Sequence, residues 1–413
     1  VDVAKVLQDG SVIGKCRLTP RGFDDRTWES AYFSSSPTVS QSTIRVSEIV
    51  RLRAELLGVI IDFSDAFFLG DYLIFADGRE YWLQVHNLDG TTIWRKLKKE
   101  VPGCKGAAAS WYRKLVSILT EQAGYVESSL DKAWFLKHEP DSSGVLQLVG
   151  TIPLHVDDTK AGFTQKEFNS LKSILSKNKV KIGTEVICYS GVSADFCGVT
   201  YIERSDGVEF NQHTYILNKL VVPDRVKLKD DEALATEILK IYATNVGRLI
   251  WILPTQLRSA FEISQLARRR TNATGKDFHR LRVLIVSIRE SPQSIFLPRL
   301  GRGPLKTIGI VDAGGGEPVS PPLKHRDQQC LLILISEATP PGTPGRAGII
   351  HFSSTGIVRV CHSSFDIESV AGVSCLDVLL NVNRLLGDSE LGTCPHFRDT
   401  EKRLQWESQL CST

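Results

Sequence analysis

The spacing of apolar positions changes several times along the chain, and these changes predict both helices and strands. Val46, Ile49 and Val50 recur at helical spacing, which predicts an amphipathic helix over residues 43–57. Residues 56–71, LLGVIIDFSDAFFLGD, begin as a continuous apolar run that suddenly meets acidic residues. That run predicts a buried strand that ends in carboxylates.

Later segments show the same change of period. Residues 107–123 and 166–177 predict helices, and residues 144–155 predict extended chain leading into the sequence Val-Asp-Asp. Residues 198–216 predict a strand, a Ser-Asp-Gly turn and a second strand. The first part of the chain is therefore predicted to mix sheet and helix.

The composition changes near residue 300. Residues 231–270 predict mainly helix, and residues 277–298 predict a helix followed by a strand. Gly and Pro then become frequent, at 300–306, 314–325 and 338–348. We therefore place a domain boundary near residue 300.

Length and composition restrict the class of protein. The chain has 413 residues, 42% hydrophobic and 23% charged, which predicts two to three globular domains. Its net charge of +3 permits a nucleic-acid partner without requiring one. No apolar run approaches the roughly 18 residues of a membrane span, and the N-terminal residues do not form a signal peptide. We expect no membrane partner and an intracellular protein that is not secreted.

Cysteine and methionine usage add two expectations. Nine cysteines are spread singly and form no CxxC pair, which favours a reducing compartment. The chain contains no Met, even at position 1, so we expect a piece of a longer product or a translation without its own start.

Carboxylates are the main candidate chemistry. Asp62 ends the apolar run at 56–71, and Asp157 and Asp158 follow the extended segment ending in Leu-His-Val. Adjacent carboxylates repel one another unless a cation neutralises them, and oxygen ligands suit Mg²⁺. Two such ions can hold the attacking and leaving oxygens of a phosphoryl transfer. A plain surface turn is the alternative explanation for the adjacent pair.

Seven segments, in this order, resemble the reverse transcriptase of Ty1/copia-type LTR retrotransposons. Each resembles a block of that family, and the spacing between blocks also agrees. The segments are GKCRLTPRGF (14–23), SPTVSQSTIR (36–45), IDFSDAFFLGD (61–71), IWRKLKKEVPGCKGAAASWY (93–112), LHVDD (154–158), FCGVTYIERSDGVEFNQHTYI (196–216) and VGRLIW (246–251).

The resemblance implies an α+β fold, a right-hand polymerase with fingers, palm and thumb. It implies fingers and palm at 1–205 and a thumb or connection at 206–300. Asp62, Asp157 and Asp158 would hold two Mg²⁺ (or Mn²⁺) ions at the primer 3′-hydroxyl. The partners implied are an RNA template, a DNA primer and dNTPs. The location implied is the cytoplasm, in a virus-like particle, or the nucleus.

Further residues acquire roles in nucleotide binding through the resemblance. Phe67 would be the aromatic side chain that excludes ribonucleotides, and Asp65 and Ala66 would offer backbone N–H groups to the triphosphate. Lys15 and Arg17 would be cations of the fingers, although both could simply lie on an exposed strand face. Phe67 could equally be a core residue.

The loop after the basic run WRKLKKE (94–100) carries the remaining nucleotide-binding candidates. By the same resemblance, Gly103, Lys105 and Gly106 would lie under the nucleotide and template. Gly103 could equally be only a turn residue.

The C-terminal part resembles the RNase H domain that follows the reverse transcriptase in the same polyproteins. TIGIVDAGG (307–315) is similar to the strand that carries its first aspartate, which implies Asp312. HFSSTGIVRVCHSSFDIES (351–369) implies Glu368 at the acidic helix position. Asp399 is a third candidate for which a surface loop is the alternative. We expect an incomplete RNase H-like α/β domain at 301–413.

Three departures from the family pattern concern function. The family's LYGL is VPGC at 101–104, its TRPD-like motif is TQLR at 255–258, and its SQxG segment after Asp312 is not recognisable. These changes suggest a decayed copy, with RNase H activity more doubtful than polymerase activity. Two alternatives to an active polymerase therefore stay open: an inactive relic that at most binds nucleic acid, and a palm-like scaffold in a larger ribonucleoprotein.

Overall fold

The computed structural model describes residues 2–6, 12–16, 19–20, 35–70, 72–73, 80–86, 89–314, 327–340, 343–358, 361 and 363–389. Of these, 38% are helical and 32% lie in strands, so the expected α+β class is confirmed. Within this part of the chain, no helix has the length and apolarity that a membrane crossing requires.

The helices and strands of the described residues alternate along the chain. In chain order they are β1 (Asp2–Val6), β2 (Val12–Cys16), α1 (Gln41–Arg53), β3 (Leu57–Ser64), a 3₁₀ turn (Ala66–Leu69), β4 (Trp82–His86), β5 (Thr92–Lys96), α2 (Ala107–Ser117) with a π-helical turn (Ile118–Gln122), β6 (Val126–Glu127), β7 (Trp134–Pro140), β8 (Leu146–His155), β9 (Asp158–Phe163), α3 (Gln165–Lys177), β10 (Lys181–Cys188), β11 (Ser193–Phe196), β12 (Val199–Arg204), β13 (Gly207–Asn211), α4 (His213–Lys219), α5 (Thr236–Ile252) with two 3₁₀ turns (Leu253–Thr255, Leu257–Ser259), α6 (Ala260–Arg268), α7 (Gly275–Glu290), β14 (Ser294–Pro298), β15 (Leu305–Gly314), β16 (Gln328–Glu337), β17 (Ala347–Gly356) and α8 (Ser364–Ser389).

A six-stranded antiparallel sheet organises the first half of the chain, in the order β10-β3-β9-β8-β7-β6. Because successive side chains of a strand point to opposite faces, β3 supplies two cores. Val59, Ile61 and Phe63 pack with residues of α2 and α3 on one face. Ile60 joins the core on the other face, around α1.

Helix α1 is buried along most of its length. Its N-terminus is capped by the Ser40 side chain, which accepts a hydrogen bond of 3.1 Å from the backbone N–H of Thr43. The helix ends at Arg53, four residues before the predicted end at 57. Glu55 adopts a positive φ of 55°, which reverses the chain and lets Leu57 begin β3. The prediction of helix over the last four of those residues was therefore wrong.

The other predicted elements agree with the structure, with one further exception. The predicted strand–turn–strand at 198–216 is present as β12 and β13, but residues 213–216 belong to α4. Helices α4 to α7 pack around their own apolar cluster, which includes Tyr242, Leu249 and Ile285. This helical group lies in sequence between β13 and β14, which are paired neighbours in a four-stranded sheet of the order β11-β12-β13-β14.

Beyond residue 300, strands β15, β16 and β17 form an antiparallel sheet on which α8 packs. This unit shares a hydrophobic core with the first half of the chain. A Cβ atom added to Gly348 would lie 3.0 Å from Ile49 and 3.1 Å from Leu297. The composition therefore changes near residue 300, while the packing is continuous across it.

Candidate active site

Strand pairing brings two of the predicted carboxylates together. Asp62 lies near the end of β3 and is the direct partner of Asp158, the first residue of β9. Directly opposed residues of antiparallel strands have Cα atoms about 4.5–5.5 Å apart and side chains on the same face. Asp157 lies in the tight β8–β9 turn, between the paired residues His155 and Asp158. The structure therefore brings all three predicted carboxylates to one end of the sheet.

The β8–β9 turn is held by contacts from both sides. Trp111 of α2 donates its indole N–H to the carbonyl oxygen of Val156 at 2.8 Å. The backbone N–H of Phe63 donates to the carbonyl oxygen of Asp157 at 2.8 Å. Val156 has a φ of 58°, a left-handed conformation that a β-branched residue rarely adopts and that costs about 1–3 kcal/mol. The surrounding hydrogen bonds thus hold Val156 in a backbone conformation that is unfavourable for a valine.

The electrostatics of the cluster are those of crowded like charges. Burial raises the pKa of Asp158 to about 6, with further contributions from the charges of Asp157 and Asp62 and from a hydrogen bond with Asp62. A hydrogen bond between two carboxyl groups requires a proton between them, and burial and like charge both favour a proton on Asp158. A divalent cation would replace that proton and relieve the repulsion.

The donor set fits Mg²⁺ or Mn²⁺ chemically, because carboxylate oxygens are the ligands that these hard cations prefer. Asp62 and Asp158 form a hydrogen-bonded pair, and Asp157 is the residue before Asp158. Among the described residues, no three His, Cys, Asp or Glu side chains converge as a complete metal-ligand set. The sheet brings the donors together, and their side chains would have to rotate to enclose an ion.

The residues after Asp62 form a 3₁₀ turn against α2. Asp65 has a φ of 57° and is exposed, while Ala66 is buried and Phe67 is half-buried against the α2–α3 core. A Cβ atom added to Gly70 would lie 2.4 Å from the Ser110 hydroxyl, which shows how closely this turn approaches α2. Asp65, Ala66 and Phe67 therefore lie within five residues of Asp62 on a closely packed turn.

The loop at 101–106 contacts the residues that follow β2. Gly103 has a φ of 102°, and a Cβ atom there would lie 2.4 Å from Thr19 and 2.5 Å from the carbonyl oxygen of Pro20. Only glycine fits such a position. Lys105 is exposed in the same loop. The structure thus joins this loop to the segment after the predicted cations.

The predicted cations themselves are only partly described. Lys15 lies in β2, where its backbone pairs with Val3 of β1. The side chain of Lys15 lies outside the described residues, as do Arg17 and the candidate Asp399. The predicted roles of these residues stay predictions.

Three residues near the site were not singled out from the sequence. A Cβ atom added to Gly183, at an irregularity of β10, would lie 2.9 Å from a carboxylate oxygen of Asp62. The Cys197 thiol has a pKa raised to about 12, first by burial and then by the charge of Asp158. Glu100 is buried, which raises its pKa, while Arg113 and the N–H of Gly106 act in the opposite direction. Of these three residues, only Glu100 had a signal in the sequence: it is the single acid that ends the basic run at 94–100.

A second charged cluster lies two residues further along β9. Lys160 donates to Glu48 at 2.7 Å, Arg51 donates to Glu48 at 3.0 Å, and Arg51 also donates to Glu203 at 2.7 Å. All four side chains are buried and their formal charges cancel. Burial alone would raise the pKa of Glu48, but Arg51 and Lys160 together hold it below its ordinary value. We name these four residues the balanced cluster.

The second pair of predicted carboxylates is arranged differently. Asp312 is exposed in β15, and Glu368 is exposed near the start of α8. Thr307 bonds to Asn383 at 2.9 Å, while Gly309 lies under Cys375, so α8 runs antiparallel to β15. Both carboxylates therefore lie toward the same end of this sheet. Among the described contacts, no hydrogen bond joins them.

No family model matches the chain, and no curated protein matches it.

Proposed function

We propose that the chain is an RNA-directed DNA polymerase of the Ty1/copia retrotransposon type, which transfers nucleotides to a primer 3′-hydroxyl. One observation carries this proposal: Asp62 and Asp158 are direct partners on neighbouring strands, with Asp157 in the turn between β8 and β9. A cluster of like charges costs stability, and a cation that phosphoryl transfer requires would remove that cost.

In this proposal each part of the site has a separate task. Asp62, Asp157 and Asp158 hold the divalent cations, which, when bound, activate the primer hydroxyl and neutralise the departing pyrophosphate. The turn at Asp65 and Ala66 receives the triphosphate of the dNTP. Phe67 packs beside the sugar and excludes a 2′-hydroxyl.

The subdomain assignment belongs to the same proposal. The six-stranded sheet with α1, α2 and α3 would be the palm, and strands β1, β2, β4 and β5 would belong to the fingers. Helices α4 to α7 would form the thumb or connection. The unit from β15 to α8 would be RNase H-like, but the exposure of Asp312 and Glu368 gives no support to RNase H activity.

Primer extension on poly(rA)–oligo(dT) with Mg²⁺ and then Mn²⁺ tests the proposal. Extension by the wild-type chain that Asp157→Asn abolishes is the expected result. Asp141→Asn is the matched control, because Asp141 lies in the turn at the opposite end of β8. A folded, monodisperse wild-type chain that extends no primer with either metal would overturn the proposal.

The second candidate function is nucleic-acid binding without catalysis. The observation that favours it is that Asp62, Asp157 and Asp158 are not arranged as a complete metal-ligand set among the residues described. Phosphate contacts dominate such binding, so it would be indifferent to sequence and would weaken with salt. Binding that persists in EDTA, together with no extension, would favour this function over the first.

A further inference from the structure

The β4–β5 hairpin exposes two tryptophans on one face. Trp82 is paired with Lys96, and Gln84 is paired with Trp94, so these four side chains share a face. Trp82 is 51% exposed and Trp94 is 59% exposed. On the opposite face, Leu83, Val85 and Ile93 are partly buried. We name the four-residue surface the Trp82–Trp94 face.

The position of the two indoles is suited to flat partners. Trp82 and Trp94 are diagonal neighbours across the two strands, a relation in which Cβ atoms lie about 7 Å apart. A single exposed apolar side chain is common, but two neighbouring indoles outside a core mark an interaction surface. Their spacing allows each ring to stack on a different base of one strand.

The charge beside the face is positive and continues toward the candidate active site. Lys96 on the face forms an ion pair with Glu80, and Lys98 is exposed after it. Lys99 lies with its ammonium 4.9 Å from the ring centre of Tyr72, which is itself 66% exposed. Tyr72 follows the 3₁₀ turn beside Asp62 by three residues. Lysines therefore follow the face in sequence, and an exposed aromatic ring lies beside the last of them.

We propose that the Trp82–Trp94 face binds single-stranded nucleic acid, with bases stacked on the indoles and phosphates on Lys96, Lys98 and Lys99. Stacking on aromatic side chains beside a basic path is how single strands are bound without sequence preference. A duplex could not use the indoles in this way, because its bases are already stacked on each other. The inference rests on the proposed function only for the identity of the strand, an unpaired template.

Equilibrium binding of a fluorescein-labelled 12-nucleotide oligo(rA), in EDTA, measures the proposed contact. Trp82→Ala and Trp94→Ala should each weaken binding at least about fivefold, since one stacked base contributes about that much or more. Trp94→Phe should restore most of the loss, because a phenyl ring still stacks. In the two tryptophan-to-alanine variants, the affinity for a blunt-ended RNA duplex of the same length should change less than about twofold.

Two controls separate stacking from charge. Tyr189→Ala removes an equally exposed aromatic ring from the β10–β11 turn and should leave binding unchanged. Lys98→Ala should lower the slope of log affinity against log salt by about 0.7, whereas Trp94→Ala should leave that slope unchanged. Lys166→Ala, which removes a charge from α3, is the control for net charge.

Four results would overturn the inference. They are no binding of oligo(rA) by the wild-type chain, normal binding by both tryptophan-to-alanine variants, equal losses for single strand and duplex, and a wild-type dimer that Trp82→Ala dissociates in sedimentation. The failure of the proposed function looks different, because primer extension can be absent while the binding of oligo(rA) still depends on both tryptophans. Tryptophan-dependent binding with no extension would keep this inference and remove the polymerase proposal.

Discussion

Strand β9 carries two charged clusters that differ in composition and in burial. Asp158 belongs to a cluster of three carboxylates that is partly open to solvent, whereas Lys160, on the same face of the strand, belongs to the fully buried balanced cluster. In the balanced cluster each carboxylate accepts from a cation. In the carboxylate cluster the side chain that bonds to Asp158 is another acid, Asp62.

This difference separates a structural role from the functional role that we propose. The balanced cluster is complete within the chain, and it ties α1 to β9 and β12. The carboxylate cluster is incomplete, because its three acids repel one another when ionised and an added cation would relieve that repulsion. A site that the protein leaves unbalanced, at the end of a rigid sheet and beside a strained turn, is where we expect a ligand to act.

The largest expected effect is on the rate of primer extension. Asp158→Asn should reduce the rate of primer extension by about 100-fold or more, since it removes a charge that acts on the reacting groups. Asp312→Asn should leave the rate within about twofold, because Asp312 is exposed on β15 and belongs to a different cluster. Equal losses in single-turnover assays of both variants would remove the distinction between the two carboxylate sites.

The balanced cluster should dominate in measurements of stability. Lys160→Met leaves Glu48 with less compensation in the buried site, so the free energy of unfolding should fall by about 3–5 kcal/mol. Lys166→Met is the control: its ion pair with Glu139 is largely exposed and should contribute less than about 1 kcal/mol. Chemical denaturation of both variants measures the difference. Similar costs would contradict the structural role of the balanced cluster.

In the carboxylate cluster, removing a charge should raise the free energy of unfolding, and the size of this gain should depend on pH. The pKa of Asp158 is about 6 in the folded chain and about 3.9 when unfolded, so the folded chain binds this proton more tightly. The resulting stability is fully present below about pH 4 and is lost as the pH rises through about 6.

Asp158→Asn imitates the protonated form and makes this pH effect measurable. Because the carboxyl is partly exposed and screened, the variant should be more stable than wild type by only about 1–2 kcal/mol at pH 7.5. At pH 4 the two should be equal. Denaturation in EDTA at both pH values measures the difference, and Mg²⁺ should narrow it at pH 7.5. The same difference in stability at pH 4 and pH 7.5 would contradict a raised pKa of Asp158 in the folded chain.

The smallest expected effect concerns the support of the β8–β9 turn. Trp111→Phe removes the hydrogen bond to Val156 and should lower the free energy of unfolding by about 1 kcal/mol. Trp134→Phe removes a comparable buried bond of 2.8 Å to Thr151, away from the turn. We expect similar losses of stability, with slower primer extension only in Trp111→Phe. Equal extension rates would show that the bond does not position the turn.

Local patterns in the sequence predicted the elements of the site well. The apolar run ending in Asp62 is β3, and the extended segment before Asp157 is β8, because burial and period are properties of neighbouring residues. The end of α1 was misjudged because Leu56 and Leu57 continue the helical period, while Glu55 reverses the chain. Periodicity alone does not detect a single residue with positive φ.

The balanced cluster could not be predicted, for a different reason. Its residues come from α1, β9 and β12, and Arg51 and Glu203 are 152 positions apart. In the sequence they look like ordinary charged residues of a solvated surface. Gly183 and Cys197 were missed for the same reason, since their relation to Asp62 and Asp158 exists only after the strands have paired.

The continuity of the core across residue 300 has a consequence for dissecting the chain. Ile49 and Leu297 lie against Gly348 of β17, and Arg45 of α1 donates to the carbonyl oxygen of Ile350 at 3.2 Å. A chain ended at residue 300 would expose an apolar surface and leave a buried guanidinium without one acceptor. Such a truncation would be prone to aggregation, so residues 1–300 are best expressed together with β15 to α8.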